Sequence, residues 1–250
     1  MEYIIVAILG LVIGSFLNVC IYRIPREESI AYPPSHCGNC SHKLKPLDLI
    51  PLFSYVFLKG KCRYCKEKIS IIYPLIEILN GILYLIIYLK FGLTILSVKY
   101  CILASILIVI GVIDFETQFV YTSTTIFAVF IGMAFIIVQA LSNKAVSIDF
   151  IFGGLIGFVI IWLIVFVTHG MGEGDIEIAA FCGLFLGVKL ILLNLFIAII
   201  IGGITGIIVL ALKLKAARDK IAFGPFIGIG TIVSMLYGNE LIQMYLKLFQ

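Results

Sequence analysis

A chain of 250 residues in which 62% are hydrophobic and only 13% charged, with a mean hydropathy of +1.18, falls outside the soluble globular class, where roughly a quarter of residues carry charge. At about 20 residues per spanning helix, this length suits an all-α polytopic membrane protein of about eight spans and one polar segment. The net charge of +4 says little by itself; the bilayer is the partner that composition demands, and no nucleic-acid partner is expected.

The first apolar run covers 3–22. Met1-Glu2-Tyr3 supplies no basic n-region and no small-residue cleavage site follows, so the run reads as a retained helix and not a signal peptide. Gly14, Ser15 and Asn18 fall at helical spacing near its inner end, a pattern that packs helices together.

A polar loop follows over 23–70, with nine basic residues: Arg23, Arg26, Lys43, Lys45, Lys59, Lys61, Arg63, Lys66 and Lys68. It contains two CxxC knuckles, Cys37–Cys40 and Cys62–Cys65, separated by twenty-one residues. Four thiolates from two knuckles surround a metal tetrahedrally, and zinc is the default choice. Disulfides are the alternative, disfavoured if the loop faces a reducing cytosol. His36 and His42 are rival ligands beside the first knuckle. So short a loop has too little apolar surface to be secure alone, and zinc would tie its ends together. Its basic side chains suit an acidic segment, an anionic cofactor or lipid headgroups, or serve only to set topology. Cys20, Cys101 and Cys182 lie in apolar runs and read as buried small residues.

The second run, 71–89, carries Glu77 and Asn80 just after Pro74. A Glu near a helix start suits the macrodipole, but its depth also makes Glu77 a candidate for contact with substrate or cofactor. Runs follow at 93–113, 122–141, 150–168, 176–188, 190–212 and 224–246, the one at 176–188 being short for a span. Asp114 closes the run at 93–113, and Asp175 opens the short run at the end of Gly172-Glu173-Gly174-Asp175. An ionisable group at such a place is costly unless it has a task.

The segment 213–220 adds Lys213, Lys215, Arg218 and Lys220. With the N-terminus outside, thirteen basic residues lie inside, while Lys90, Lys99, Lys144, Lys189 and Lys247 remain outside. Positive charge favours the cytoplasmic side, which predicts both termini outside. Two crossings then separate Asp114 from Asp175, and both emerge at the cytoplasmic face, where they can meet.

Two carboxylic acids hydrolyse a peptide bond when one is ionised and takes a proton from the attacking water while the other is protonated and bonds the carbonyl oxygen. Like charges a few ångströms apart share a proton and titrate as a unit. Gly172 and Gly174 suit an irregular backbone that lets another chain approach. Against this stands capping: Asp is a preferred N-cap, which fits Asp175, whereas a carboxylate at a helix C-terminus opposes the dipole, which does not fit Asp114. Glu116 and Glu173 read as solvated neighbours. His169 is placed to bias the pair electrostatically, or to be a bystander.

Together these residues resemble the type IV prepilin peptidase family, the bifunctional leader peptidases and N-methyltransferases of bacteria. The resemblance runs through GSFLNVCIYRIP at 14–25, the two knuckles, LDLIPLFSYVFLKGKCRYC at 47–65, YPLIEILNG at 73–81, IDFETQFV at 113–120, GMGEGD at 170–175 and AFGPFIGIG at 222–230. It implies that Asp114 and Asp175 are the catalytic aspartates. It implies a prepilin or pseudopilin substrate with a short basic leader, cut after glycine at the cytoplasmic face, and methylation of the new N-terminus from S-adenosylmethionine. It divides the chain into a first helix at 1–22, a zinc-binding loop at 23–70 tied to methyl transfer, and a seven-helix protease domain at 71–250. Two departures stand out. Val120, Tyr121 and Thr122 replace a triplet such as Ile-Pro-Asp, and Glu177 stands where a lysine is frequent. The rival readings are a GxGD intramembrane protease of other substrates, which would need neither the knuckles nor the first motif, and a non-enzymatic metal-binding membrane protein.

Overall fold

The computed structural model describes residues 1–141, 148–168, 170–212 and 222–248 in full and 144–147 by backbone alone. His169 and the basic cluster Lys213, Lys215, Arg218 and Lys220 lie outside the described residues, as does the side chain of Lys144. The helices are α1 (Glu2–Arg23), α2 (Phe53–Phe57), α3 (Ile72–Phe91), α4 (Ile95–Thr117), α5 (Thr122–Ala140), α6 (Lys144–Thr168), α7 (Glu173–Leu186), α8 (Val188–Ala211) and α9 (Gly224–Lys247). The described residues form no extended strand, only two isolated bridges in the cysteine loop. Two compact units result, Met1–Val109 and Ile110–Gln250, with the boundary inside α4.

In the first unit α1 lies against α3. A Cβ on Gly14 would stand 2.8 Å from Glu77 Cα, so the small residue sets how closely the two backbones approach. Polar side chains then bond across the apolar contact. Asn18 Nδ2 donates to Tyr73 O at 3.0 Å and Asn80 Nδ2 to Gly10 O at 2.7 Å. The Asn80 carboxamide oxygen accepts from Ser105 Oγ at 3.0 Å. Side-chain bonds of this kind hold helices together where lipid offers no hydrophobic drive between them. Gly14 and Asn18 of the first run are therefore packing residues.

In the second unit the short run becomes α7. Fourteen residues rise only about 21 Å, less than a hydrocarbon core of about 30 Å. Its length need not match the bilayer, because protein surrounds it: α5, α6, α8 and α9 all pack on it, and Ile178, Ala179, Phe181, Cys182 and Phe185 are fully buried. Gly187, at φ +78°, turns the chain from α7 into α8, a conformation suited to glycine. Seven described helices are long and apolar enough to cross a membrane, namely α1, α3, α4, α5, α6, α8 and α9. The eighth apolar run is this enclosed helix, a short crossing: Asp114 at the end of α4 binds Gly224 at the start of α9, so a spanning α8 returns to the side from which α7 sets out.

Candidate active site and metal centre

The four knuckle cysteines converge. Their Sγ atoms all lie within 4.8 Å of one another, and Cys37 and Cys65 are 3.7 Å apart. Zinc–sulfur bonds of about 2.3 Å in a tetrahedron place sulfurs about 3.8 Å apart, so the donor set and its spread fit a structural zinc.

The knuckles repeat one backbone design. Cys37 N–H donates to His42 O at 3.0 Å and Ser41 N–H to Cys37 O at 2.8 Å; Cys62 N–H donates to Glu67 O at 2.8 Å and Lys66 N–H to Cys62 O at 3.1 Å. Ser41 and Lys66 each take a positive φ, 54° and 63°. Within the first knuckle, the backbone N–H groups of Cys40 and Asn39 point at Cys37 and hold its thiol down to about 6, which favours the thiolate that binds metal. Neither histidine joins the group. The His42 ring stacks on Tyr64 with centroids 3.6 Å apart, and His36 Nδ1 lies 3.2 Å from Pro34 O.

Glu77 is buried, and its Oε2 accepts the Leu52 N–H at 2.9 Å. One of its oxygens thus ties the loop to α3.

In the second unit a cavity of about 440 Å³ opens between α4, α6, α7 and the start of α9, lined by Asp114 and Asp175 together with Gln118, Val120, Glu173 and Phe223 among others. Both aspartates are buried, with 4% and 5% of their surface exposed, and they are near enough for the charge of one to act on the other.

Each carboxylate is held by one backbone N–H. Asp175 sits at the third position of α7, and its Oδ2 accepts Gly172 N–H at 3.0 Å. Asp114 lies near the C-terminus of α4, where the helix dipole opposes it, but its Oδ2 accepts Gly224 N–H at 3.0 Å. That donor opens α9, so a second helix N-terminus offsets the first helix's unfavourable end. Pro225 follows at the start of α9, where a missing N–H costs nothing.

Close backbone approach assembles this arrangement. A Cβ on Gly224 would fall 2.6 Å from Asp114 Oδ2, and a Cβ on Gly174 2.5 Å from Val120 Cβ. Gly172 is different: a Cβ there meets nothing nearer than Asp175 Oδ2 at 3.6 Å. It contributes its N–H, not its lack of a side chain.

The flanking acids divide. Glu116 is exposed and does not line the cavity, whereas Glu173, expected to be a solvated neighbour, is exposed and also lines it. Glu177 turns away, its Oε2 accepting a hydrogen bond from buried Thr125 on α5. Two residues along a helix place side chains on nearly opposite faces. The charge that departs from the family pattern is therefore directed at α5.

Gly224 and Phe223 are the site residues that the sequence reading missed. Their one signal was the AFGPFIGIG segment, whose proline and glycines mark a helix start without revealing what it faces.

Residues 8–91 match the Bacterial Peptidase A24 N-terminal domain, and residues 101–207 match the Type IV leader peptidase family. A prepilin leader peptidase/N-methyltransferase of Bacillus subtilis (strain 168) is 32% identical over 249 residues, covering 98% of this chain and 98% of that protein. The protein of the same description from Neisseria gonorrhoeae is 32% identical over 251 residues, covering 88% and 85%. That from Pseudomonas aeruginosa is 29% identical over 269 residues, covering 96% and 92%. No solved structure matches the chain. Matches of this extent to enzymes set aside the non-enzymatic reading, and the chain belongs to the type IV leader peptidase family.

Proposed function

We propose that Asp114 and Asp175 are the proton-sharing pair with which this membrane protease removes the basic leader of a prepilin or pseudopilin. The observation that carries the reading is that both buried carboxylates line one cavity, each with Oδ2 bound to a backbone N–H. That leaves the second oxygen of each for water and substrate. One carboxylate takes a proton as water attacks the carbonyl carbon of the glycine that precedes the cut, while its protonated partner bonds the carbonyl oxygen. Collapse of the tetrahedral intermediate then returns a proton to the departing amine. Backbone N–H groups already in place need no reorganisation as charge shifts, which is how preorganised donors lower a barrier.

The orientation that goes with this reading follows the basic loop and the 213–220 cluster: both termini outside a bacterial plasma membrane and the aspartates at its cytoplasmic face.

The second activity belongs in this reading to the Met1–Val109 unit. Cys37, Cys40, Cys62 and Cys65 would hold the zinc that shapes its loop. S-adenosylmethionine would supply the methyl group. Glu77 is a buried carboxylate of this unit, and its negative charge suits a cationic donor or the substrate's α-ammonium group, which must lose a proton before its nitrogen can be methylated.

Purified protein and a prepilin, incubated with and without S-adenosylmethionine and read by intact mass, test both parts. The expected result is leader loss in both samples and one added methyl only with the donor. An uncut prepilin contradicts the protease reading, and a cut but unmethylated product contradicts the second.

A further inference from the structure

The short helix α2 is the least explained part of the cysteine loop. Phe53, Val56 and Phe57 share one of its faces, being spaced at i, i+3 and i+4, and they are 61%, 70% and 80% exposed. The other face turns inward: Ser54, Tyr55 and Leu58 are half-buried, and Tyr55 Oη donates to Ile69 O at 3.3 Å. Three large apolar side chains on one outward face form the kind of surface that marks an interaction site.

The height of α2 is fixed by Glu77. That residue lies in the second turn of α3, and its side chain leans toward the helix N-terminus. The Leu52 N–H bonds to it at 2.9 Å, so the residue that opens α2 lies level with the first turns of a membrane-spanning helix. At that level α3 itself presents apolar side chains outward, Ile72 and Leu75 being exposed and Ile71 just before them also exposed. A hydrophobic environment therefore reaches the height at which α2 hangs. Directly after α2 come Lys59, Lys61, Lys66 and Lys68, all exposed.

We propose that α2 is an interfacial anchor whose Phe53, Val56 and Phe57 face inserts at the boundary between headgroups and acyl chains of an anionic leaflet, with the four lysines at its phosphates. Apolar and aromatic side chains with adjacent cations are the chemistry of that boundary. The anchor holds the zinc loop at one height beside α3. It rests on the spanning reading of α3 and not on the aspartate pair.

A sole-tryptophan protein tests this. The chain has one tryptophan, Trp162, so the full-length Trp162→Phe, Phe57→Trp variant reports on α2 alone, and Trp162→Phe, Phe53→Trp reads the same face independently. Zinc content verifies that the loop of each variant is intact. In vesicles of phosphatidylglycerol and phosphatidylcholine carrying brominated lipids, the expected emission is blue-shifted. It is quenched more by bromines near the carbonyls than by bromines near the chain ends, and quenched less in pure phosphatidylcholine. Water-like, unquenched emission in both metal-loaded variants overturns the proposal. So does emission that shifts only when a prepilin is added, since the face would then be a protein-docking surface. Equal quenching with and without the anionic lipid overturns the role of the lysines.

Discussion

Gly224 donates its backbone N–H to Asp114 Oδ2 at 3.0 Å, joining residues 110 positions apart. The bond explains how a carboxylate survives near the C-terminus of α4: the N-terminus of α9 is brought to it. A methyl group on Gly224 would stand 2.6 Å from that oxygen and 2.9 Å from Ile178 Cδ1. Gly224→Ala is therefore expected to displace the carboxylate and lower kcat/KM for leader cleavage by about 10²-fold, the usual effect of misplacing a reacting group by an ångström. Cleavage kinetics, with thermal unfolding in detergent as the control for folding, check it.

The contact between Gly174 and Val120 predicts a rescue. Gly174→Ala places a Cβ 2.5 Å from Val120 Cβ and 2.6 Å from its Cγ2, which pushes the first turn of α7 and Asp175 with it. Activity is expected to fall by about tenfold or more, and Val120→Gly, which removes both of those atoms, is expected to restore much of it. A double-mutant cycle on cleavage rate measures the coupling, and additive losses contradict the contact.

Glu177 predicts a separation of stability from catalysis. Its carboxylate accepts from Thr125, which is only 3% exposed, and it is absent from the cavity lining. Glu177→Lys removes the acceptor and is expected to destabilise the fold by about 1–2 kcal/mol, the scale of a hydrogen bond to a charged group discounted for partial exposure. The kcat should stay within about threefold of the parent, because the charge points at α5. Thermal unfolding and cleavage kinetics on one preparation give both quantities.

The cysteine site predicts a metal-dependent loop. Cys62, the most buried of the four, is the one whose loss the loop can least absorb. Cys62→Ser is expected to abolish stoichiometric zinc by elemental analysis and to open the 24–71 segment to trypsin at its exposed lysines. Parent protein stripped by a chelator should show the same nicking, since a structural zinc stabilises its fold directly.

Much of this was legible in the sequence because the relevant physics is local. The knuckles declare a metal site through ligand type and spacing. Asp114 and Asp175 declare themselves as charges at the ends of apolar runs, and counting crossings brought them to the same side. Long-range packing is where sequence reasoning stopped. Nothing near Asp114 reveals that Gly224 will bind it, since the partner lies at the start of α9. The run at 176–188 reads as a lipid-facing span until its neighbours are known, because burial in protein and burial in lipid select the same residues. Glu173 and Glu177 show the same limit at the scale of one turn. The sequence places both beside Asp175, and only the helix geometry sends one into the cavity lining and the other toward Thr125.

The central claim is that Asp114 and Asp175 work as one pair, and single-turnover cleavage of a prepilin by Asp114→Asn and Asp175→Asn tests it most directly. Each substitution keeps the size of the side chain and the acceptor for Gly224 or Gly172 while removing its ability to exchange a proton. The expected result is a loss of about 10³-fold or more in each variant, with zinc content and thermal unfolding close to the parent. Cleavage by either folded variant within about tenfold of the parent rate, too small a loss for a missing proton-transfer group, would contradict the account.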